Sequence, residues 1–184
     1  MTHADQYRTA LAERSSYFEN VLVHRMVADL GGELWRRDPN KPLSIFNSEV
    51  DDSGFDLVLA CGNQLRYIQV KQVHSKGSAS KFSVRLDFSR MPGSCIVVVV
   101  HTAEELHVDH FLFYGGDTRE PMPRVEANKP SIQPGKRDIA GNRKTRHHYR
   151  DVKRNKFRGP LTAGELLDAL FPTSEDKTET LARD

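Results

Sequence analysis

An α+β domain with a mixed central β-sheet flanked by helices, an α/β/α-like arrangement, is the architecture this 184-residue sequence predicts. Three observations carry the prediction. Apolar residues recur at helical spacing near the start, at Tyr7, Leu11, Phe18, Val21, Leu22, Met26 and Leu30. A succession of short segments with β-type patterning follows between Phe55 and Gly116. A second helix with a clear start signal closes the patterned region, giving the order helix, strands, helix.

The elements follow in turn. Gly31-Gly32 is expected to stop the first helix, and "ELWRRD" reads as a strand ended by "DPNKP". Asn40 to Gly54 is turn-rich and reads as a loop with a short extended piece at Ile45-Phe46. Strands are expected at Phe55–Ala60 and Leu65–Gln72, joined by the turn Cys61-Gly62-Asn63-Gln64. "KFSVRLDF" alternates as a further strand. "CIVVVVH" is a continuous β-branched run, as in a strand buried on both faces. "HVDHFLFYGG" is one more strand, and Pro121, Pro123, Pro130 and Pro134 mark a long irregular connection. Thr162-Ala163-Gly164-Glu165 fits a capping box, with Leu166, Leu167, Leu170 and Phe171 as the apolar face behind it and Pro172 as the stop. One domain over residues 1–172 is expected, with a polar, disordered tail over 173–184.

Composition limits the function classes. The longest apolar run, Cys95–Val100, falls far short of the roughly 18 residues of a membrane span, so no membrane partner is expected. Met1–Ser16 contains no apolar signal segment. Cys61 and Cys95 form neither a CxxC pair nor a disulfide framework, and a cytoplasmic location is expected. Charge is unevenly spread. Lys136–Arg158 holds ten basic residues against two acidic ones, whereas the rest of the chain has 17 basic and 23 acidic. That segment is expected to face a polyanion, and its charge density argues against a structural strand. Arg143, Lys144, Arg146, His147, Arg150, Lys153 and Arg154 are the candidate nucleic-acid contacts. Adjacent histidines in a strand point to opposite sides, so His147 and His148 suit phosphate or base contact better than chelation of one metal. Tyr149 and Phe157 are each open to two readings, base stacking or core anchoring.

The polar groups of the two central strands need explanation. In a strand, Gln69 and Lys71 project from one face and Ile68 and Val70 from the other. A hairpin closed near residue 63 sets Asp56 across from Gln69, on the same face as Gln69 and Lys71. Three polar side chains on one sheet face are costly unless they bind something. A divalent metal with a phosphate satisfies them: Asp56 offers a hard oxygen, Gln69 and a nearby backbone carbonyl (Val70) offer neutral ones, and Lys71 orients a water or stabilises an oxyanion.

Asp56, followed thirteen positions later by Gln69-Val70-Lys71 on a second strand, resembles the PD-(D/E)xK nuclease superfamily. More narrowly it resembles the QxK branch that includes Mrr-like restriction endonucleases. "FDLVLA" and "LRYIQVKQ" supply the apolar flanks, and "DDSGFD" sets Asp52, Gly54 and Asp56 in a DxGxD arrangement similar to several bacterial domains of this type. Phe55 stands where the motif normally has proline. The resemblance covers roughly Ser15 to Val100. It implies a restriction-endonuclease-like fold, a Mg²⁺- or Mn²⁺-dependent endonuclease acting on DNA in restriction, defence or repair, Asp56, Gln69 and Lys71 as catalytic residues, and Asp56, Gln69, Val70 and Glu19 of the first helix around the metal. Glu19 has a second reading, as the partner of Ser16 in a capping box, and Glu49 is a lesser candidate ligand. A nucleic-acid-binding module of the same fold with little or no cleavage is the alternative, and a homodimer is an open option.

Overall fold

The computed structural model describes residues 6–7, 9–10, 13–47, 54–102, 106–133, 141 and 143–173. Glu49, Asp52, Lys136, Arg137 and the tail from residue 174 onward lie outside the described residues. The first long helix, α1, spans Ser15–Arg37. Nine strands follow: β1 (Leu43–Asn47), β2 (Leu57–Cys61), β3 (Gln64–His74), β4 (Lys81–Arg85), β5 (Ser94–His101), β6 (Val108–Gly115), β7 (Pro130–Ile132), β8 (Thr145–Lys153) and β9 (Arg158–Leu161). A single helical turn, α2 (Leu86–Ser89), follows β4, and α3 (Ala163–Leu170) closes the described chain.

The fold is α+β, built on a mixed six-stranded sheet in the order β1-β2-β3-β5-β6-β9. The β3–β5 pair is parallel and the other neighbours are antiparallel. Helices α1 and α3 cover one face. The opposite face carries a three-stranded antiparallel sheet, β4-β8-β7, with the turn α2 beside it. Helices therefore lie chiefly on one side, and a small sheet replaces the second helical layer of the α/β/α-like expectation.

β5 shows why the layers hold together. All eight of its residues are buried. Cys95, Val97 and Val99 join Leu22, Met26, Leu30, Leu166 and Leu170 in the core under the helices. Ile96, Val98 and Val100 join Phe82, Val84, Val152 and Phe157 in the core under the small sheet. The two-residue strand period thus feeds two cores from one strand. Cys61 and Cys95 are buried and free, and burial pushes the Cys95 thiol up to about 12. Among the described residues no helix is long and apolar enough to cross a membrane.

Three expectations are corrected. Gly31-Gly32 does not stop the first helix, and "ELWRRD" is not a strand: α1 runs through both glycines to Arg37. Met26, Leu30 and Leu34 keep one buried stripe at a spacing of four, and Glu33 accepts from Arg36 at 2.6 Å and Arg37 at 2.8 Å. Arg37 also bonds Asp168 of α3. Packing and these pairs outweigh the ~1 kcal/mol helix penalty of each glycine. The basic segment is corrected too, because Thr145–Lys153 is the central strand of the small sheet. Its own pattern is poor, with Val152 its single buried residue, but β4 and β7 satisfy its backbone from both sides.

The predicted caps separate cleanly. Thr162 accepts from the Glu165 N–H while the Glu165 carboxylate accepts from the Thr162 N–H, a complete capping box. Ser16 lies inside α1 rather than at its cap, so the capping-box reading of Glu19 does not apply.

One buried cation ties the sheet to α3. Arg66 of β3 is fully buried. Its guanidinium donates to Leu170 O at 2.6 Å, Ala169 O at 3.1 Å, Gly116 O at 2.9 Å and Asp117 O at 3.2 Å. Phe113 lies beneath it, with the guanidinium carbon 5.7 Å from the ring centre. The last carbonyls of α3 are thereby capped by a positive charge, even though burial lowers the Arg66 pKa from its ordinary value. Arg66→Met should leave these carbonyls without their donor and cost about 3–5 kcal/mol of stability. Urea unfolding of the variant checks this, and a loss below ~1 kcal/mol would contradict the clamp.

Candidate functional site

The site begins at the β2–β3 hairpin. Gly62 at φ 60° opens its two-residue turn, a position where only glycine is at ease. The register then runs from Cys61↔Gln64 to Leu57↔Ile68. Beyond Leu57 the ladder becomes irregular. The Asp56 N–H also reaches back to Ile68 O, at 2.8 Å, and the Asp56 carboxylate takes the next outward N–H of β3, that of Val70, at 2.5 Å. A side chain has replaced main chain as the acceptor. Such breaks in pairing re-aim side chains beside functional sites.

The residues before Asp56 hold it there. Gly54 has φ 80°, and a Cβ on it would lie 3.1 Å from Phe88 Cβ and 3.2 Å from Arg85 Cδ. Phe55 packs edge-on against Tyr67, with ring centres 5.3 Å apart, and against Phe88 at 6.2 Å. An apolar anchor thus directly precedes Asp56.

A cleft of about 310 Å³ opens at this point, between the main sheet and the small one. Asp56, Gln69 and Lys71 line its main-sheet side, together with Gly54 and Phe55; Ser83, Arg85, Arg146 and Tyr149 line the other. The three residues of the motif are therefore on one face and in one cleft. Gln69 is only 8% exposed, and its Oε1 has no hydrogen-bond partner among the described residues. Lys71 is half-buried and Asp56 exposed. Ile68 and Val70 turn their side chains into the helix-side core, so Val70 could serve a ligand only through its main chain. Its carbonyl shares the strand edge of its N–H and hence faces Asp56.

The small sheet supplies what sequence reasoning missed. Arg85 and Tyr149 are register partners on β4 and β8. The Arg146 guanidinium lies over the Tyr149 ring, 3.3 Å from its centre. Between them β8 departs from regular pairing: Pro130 partners Arg150 while the next residue, Ser131, partners Arg146. Arg150 braces this irregular stretch, donating from Nη1 to His147 O at 2.6 Å and Tyr149 O at 3.1 Å. Half-buried, it ties its guanidinium to the main chain at Tyr149. The two aromatics with open readings part company here. Phe157 is a core anchor against Phe82 and Tyr114, whereas Tyr149 lines the cleft.

The remaining candidates lie elsewhere. Lys153 and Arg154 line a separate groove of about 800 Å³ with Ser78, Ser80 and Asn155. Arg143, Lys144 and His147 are exposed. Glu19 is exposed on α1 and is not among the residues lining the cleft. Among the described residues no three His, Cys, Asp or Glu side chains gather as a metal-holding group.

A divalent cation nevertheless fits the donor set on two observations. Asp56 is a carboxylate at the cleft, and the Gln69 carbonyl oxygen is buried beside it without a partner, an arrangement that a hard cation satisfies. The chain matches no family model, no curated protein and no solved structure.

Because Asp56 serves the backbone as well as the cleft, its two roles can be separated. Asp56→Ala should lose about 1 kcal/mol by leaving the Val70 N–H without its acceptor, and Asp56→Asn should recover most of that, since an amide oxygen also accepts. Chemical denaturation of both variants provides the comparison. Equal stability of Asp56→Ala and the parent would show that the bond contributes nothing.

Proposed function

We propose that this chain is a metal-dependent nuclease that hydrolyses phosphodiester bonds, with DNA as its substrate. The observation that carries the proposal is the meeting of Asp56, Gln69 and Lys71 in one cleft whose far wall adds Arg85 and Arg146. One acid against three bases makes the lining net positive, as a phosphate diester requires. The family resemblance of the same three residues supports the same reading.

Asp56 and Gln69 would hold a Mg²⁺ or Mn²⁺ ion, with the Val70 carbonyl at the same strand edge. When bound, that ion supplies charge neutralisation at the phosphate and lowers the pKa of a water. Lys71, two residues beyond Gln69 on the same face, orients the attacking water or donates to the developing oxyanion. Arg85 grips non-bridging phosphate oxygens from the opposite wall, and Arg146, stacked on Tyr149, adds its charge to the phosphate contacts. The apolar packing of Phe55, Tyr67 and Phe88 beside the cleft lowers the local dielectric and strengthens each of these contacts.

Incubation of the protein with DNA in Mg²⁺, Mn²⁺ or EDTA tests the chemistry. Hydrolysis should appear with either metal and vanish in EDTA. Asp56→Asn and Lys71→Ala should each lower the rate at least ~100-fold while the protein stays folded. Cleavage that persists in EDTA, or variants as active as the parent, would overturn the proposal. Nucleic-acid binding with no hydrolysis under any metal would instead favour a binding module of the same fold.

The basic wall has its own signature. Arg146→Ala should weaken DNA binding for all sequences alike and reduce the slope of log affinity against log salt by about one. Arg143→Ala and Lys144→Ala, on exposed chain leading into β8, should act in the same direction. An unchanged salt slope in Arg146→Ala would remove that residue from the phosphate contacts.

A further inference from the structure

We infer that the cleft receives a single unpaired nucleotide, its phosphate between Asp56, Lys71 and Arg85 and its base against the Arg146–Tyr149 stack; the inference rests on the nucleic-acid reading of the cleft. Three observations carry it. The first is size. At about 310 Å³ the cleft sits at the lower end of the roughly 300–1,000 Å³ range of pockets that enclose one small ligand. One nucleotide unit is of that scale, and a two-stranded helix is not.

The second is enclosure. The motif residues do not stand on an open sheet face. The small sheet rises opposite them, with Ser83 and Arg85 on β4 and Arg146 and Tyr149 on β8. A nucleotide in a continuous duplex keeps its base stacked and paired outside such a cleft. A base that enters must be unpaired, either in a single strand or turned out of a helix.

The third is the chemistry of the far wall. The Arg146 guanidinium carbon lies over the Tyr149 ring, 3.3 Å from its centre. A planar cation on an aromatic ring is a ready stacking surface, and unpaired bases stack on both kinds of plane. Tyr149 is held in place from behind, where Arg150 bonds the Tyr149 and His147 carbonyls. The main chain that carries the stack is thus tied to Arg150. Such a surface reads the face of a base, which every base has, and tolerates sequence. The substrate class is a strand with unpaired nucleotides, and the stack acts equally on DNA and RNA.

Binding rather than cleavage tests this. A fluorescein-labelled DNA strand of about a dozen nucleotides, its RNA counterpart, and the DNA strand annealed to its complement are titrated with the full chain in EDTA, and anisotropy is read. At least one single strand should bind roughly tenfold or more tightly than the duplex, and the stronger of the two identifies the sugar. Tyr149→Ala should weaken single-strand binding by roughly tenfold and leave duplex binding unchanged, while Tyr149→Phe, which keeps the ring, should match the parent. Should Tyr149→Ala fail to fold, Tyr149→Leu, of similar bulk but without the ring plane, takes its place. Duplex binding as tight as that of both single strands, or a Tyr149 variant that lowers both forms alike, would overturn the inference. Neither result depends on hydrolysis. A protein that prefers single strands but never cleaves them upholds the inference and sinks the nuclease reading, and cleavage with duplex preference does the reverse.

Discussion

The hydrogen bond from the Val70 N–H to the Asp56 carboxylate is the contact on which the cleft depends. It ends the β2–β3 ladder with a side chain in place of main chain, and so decides where Asp56 stands relative to Gln69 and Lys71. The turn at Gly62 sets the register of the five pairs that precede this contact, and a slip of one residue would send Gln69 and Lys71 into the helix-side core. Gly54 and Phe55 then lock the approach from the other direction. Gly54 tolerates the side chains of Arg85 and Phe88 against its backbone, and Phe55 seats in the aromatic cluster with Tyr67 and Phe88. A carboxylate used in this way is both a structural acceptor and a chemical group.

Polar residues at such a place weigh against folding, and the surrounding layers account for their tolerance. β5 lies next to β3 in parallel and is buried throughout, so the neighbouring strand contributes hydrophobic burial to both cores at once. On the face of β3 that carries Gln69 and Lys71, Tyr67 and Val73 stand before and after them and pack against the small-sheet core. The polar gap is therefore two side chains long. Three residues before Gln69, Arg66 uses the same strand to cap the carbonyl end of α3. One strand thus connects the hairpin, the helix layer and the cleft, and among the described residues three of its glutamine oxygens, those of Gln64, Gln69 and Gln72, are buried without a partner, with Gln69 the one that lines the cleft.

The basic segment shows how charge and architecture combine. Its residues do not form one surface. Arg146 faces the cleft, Arg150 is turned inward to brace main-chain carbonyls, and Lys153 and Arg154 line a different groove. Even Lys81, the register partner of Lys153, is held by Asp151. A run of positive charge in the chain has become a strand whose irregular stretch sorts the charges by direction. Among the described cations of this segment, Arg146 is the one placed over an aromatic ring, and it lies beside Asp56, Gln69 and Lys71.

The hairpin, the doubly buried strand and the α3 cap were legible in the chain because each is governed by local rules: alternation around a glycine turn, an unbroken β-branched run, and a hydroxyl three residues before a carboxylate. The shared face of Gln69 and Lys71 belongs to this group, since strand periodicity alone sets it, whereas Asp56 lies just before β2 and is brought to them by its bond to the Val70 N–H. Other features had no local signal. Gly31-Gly32 reads as a stop, yet α1 continues because Leu34 completes a stripe buried by the sheet. Thr145–Lys153 lacks alternation, yet it is a central strand because β4 and β7 bond its backbone on both edges. The far wall of the cleft, Ser83 and Arg85 with Arg146 and Tyr149, joins residues more than sixty positions apart, and only the packing of one sheet over another brings them to the motif. By itself the sequence determined which side chains share a strand face, since that follows from the geometry of consecutive peptide units. Tertiary structure alone decided what stands opposite them, because that depends on burial and pairing between segments that carry no mark of each other.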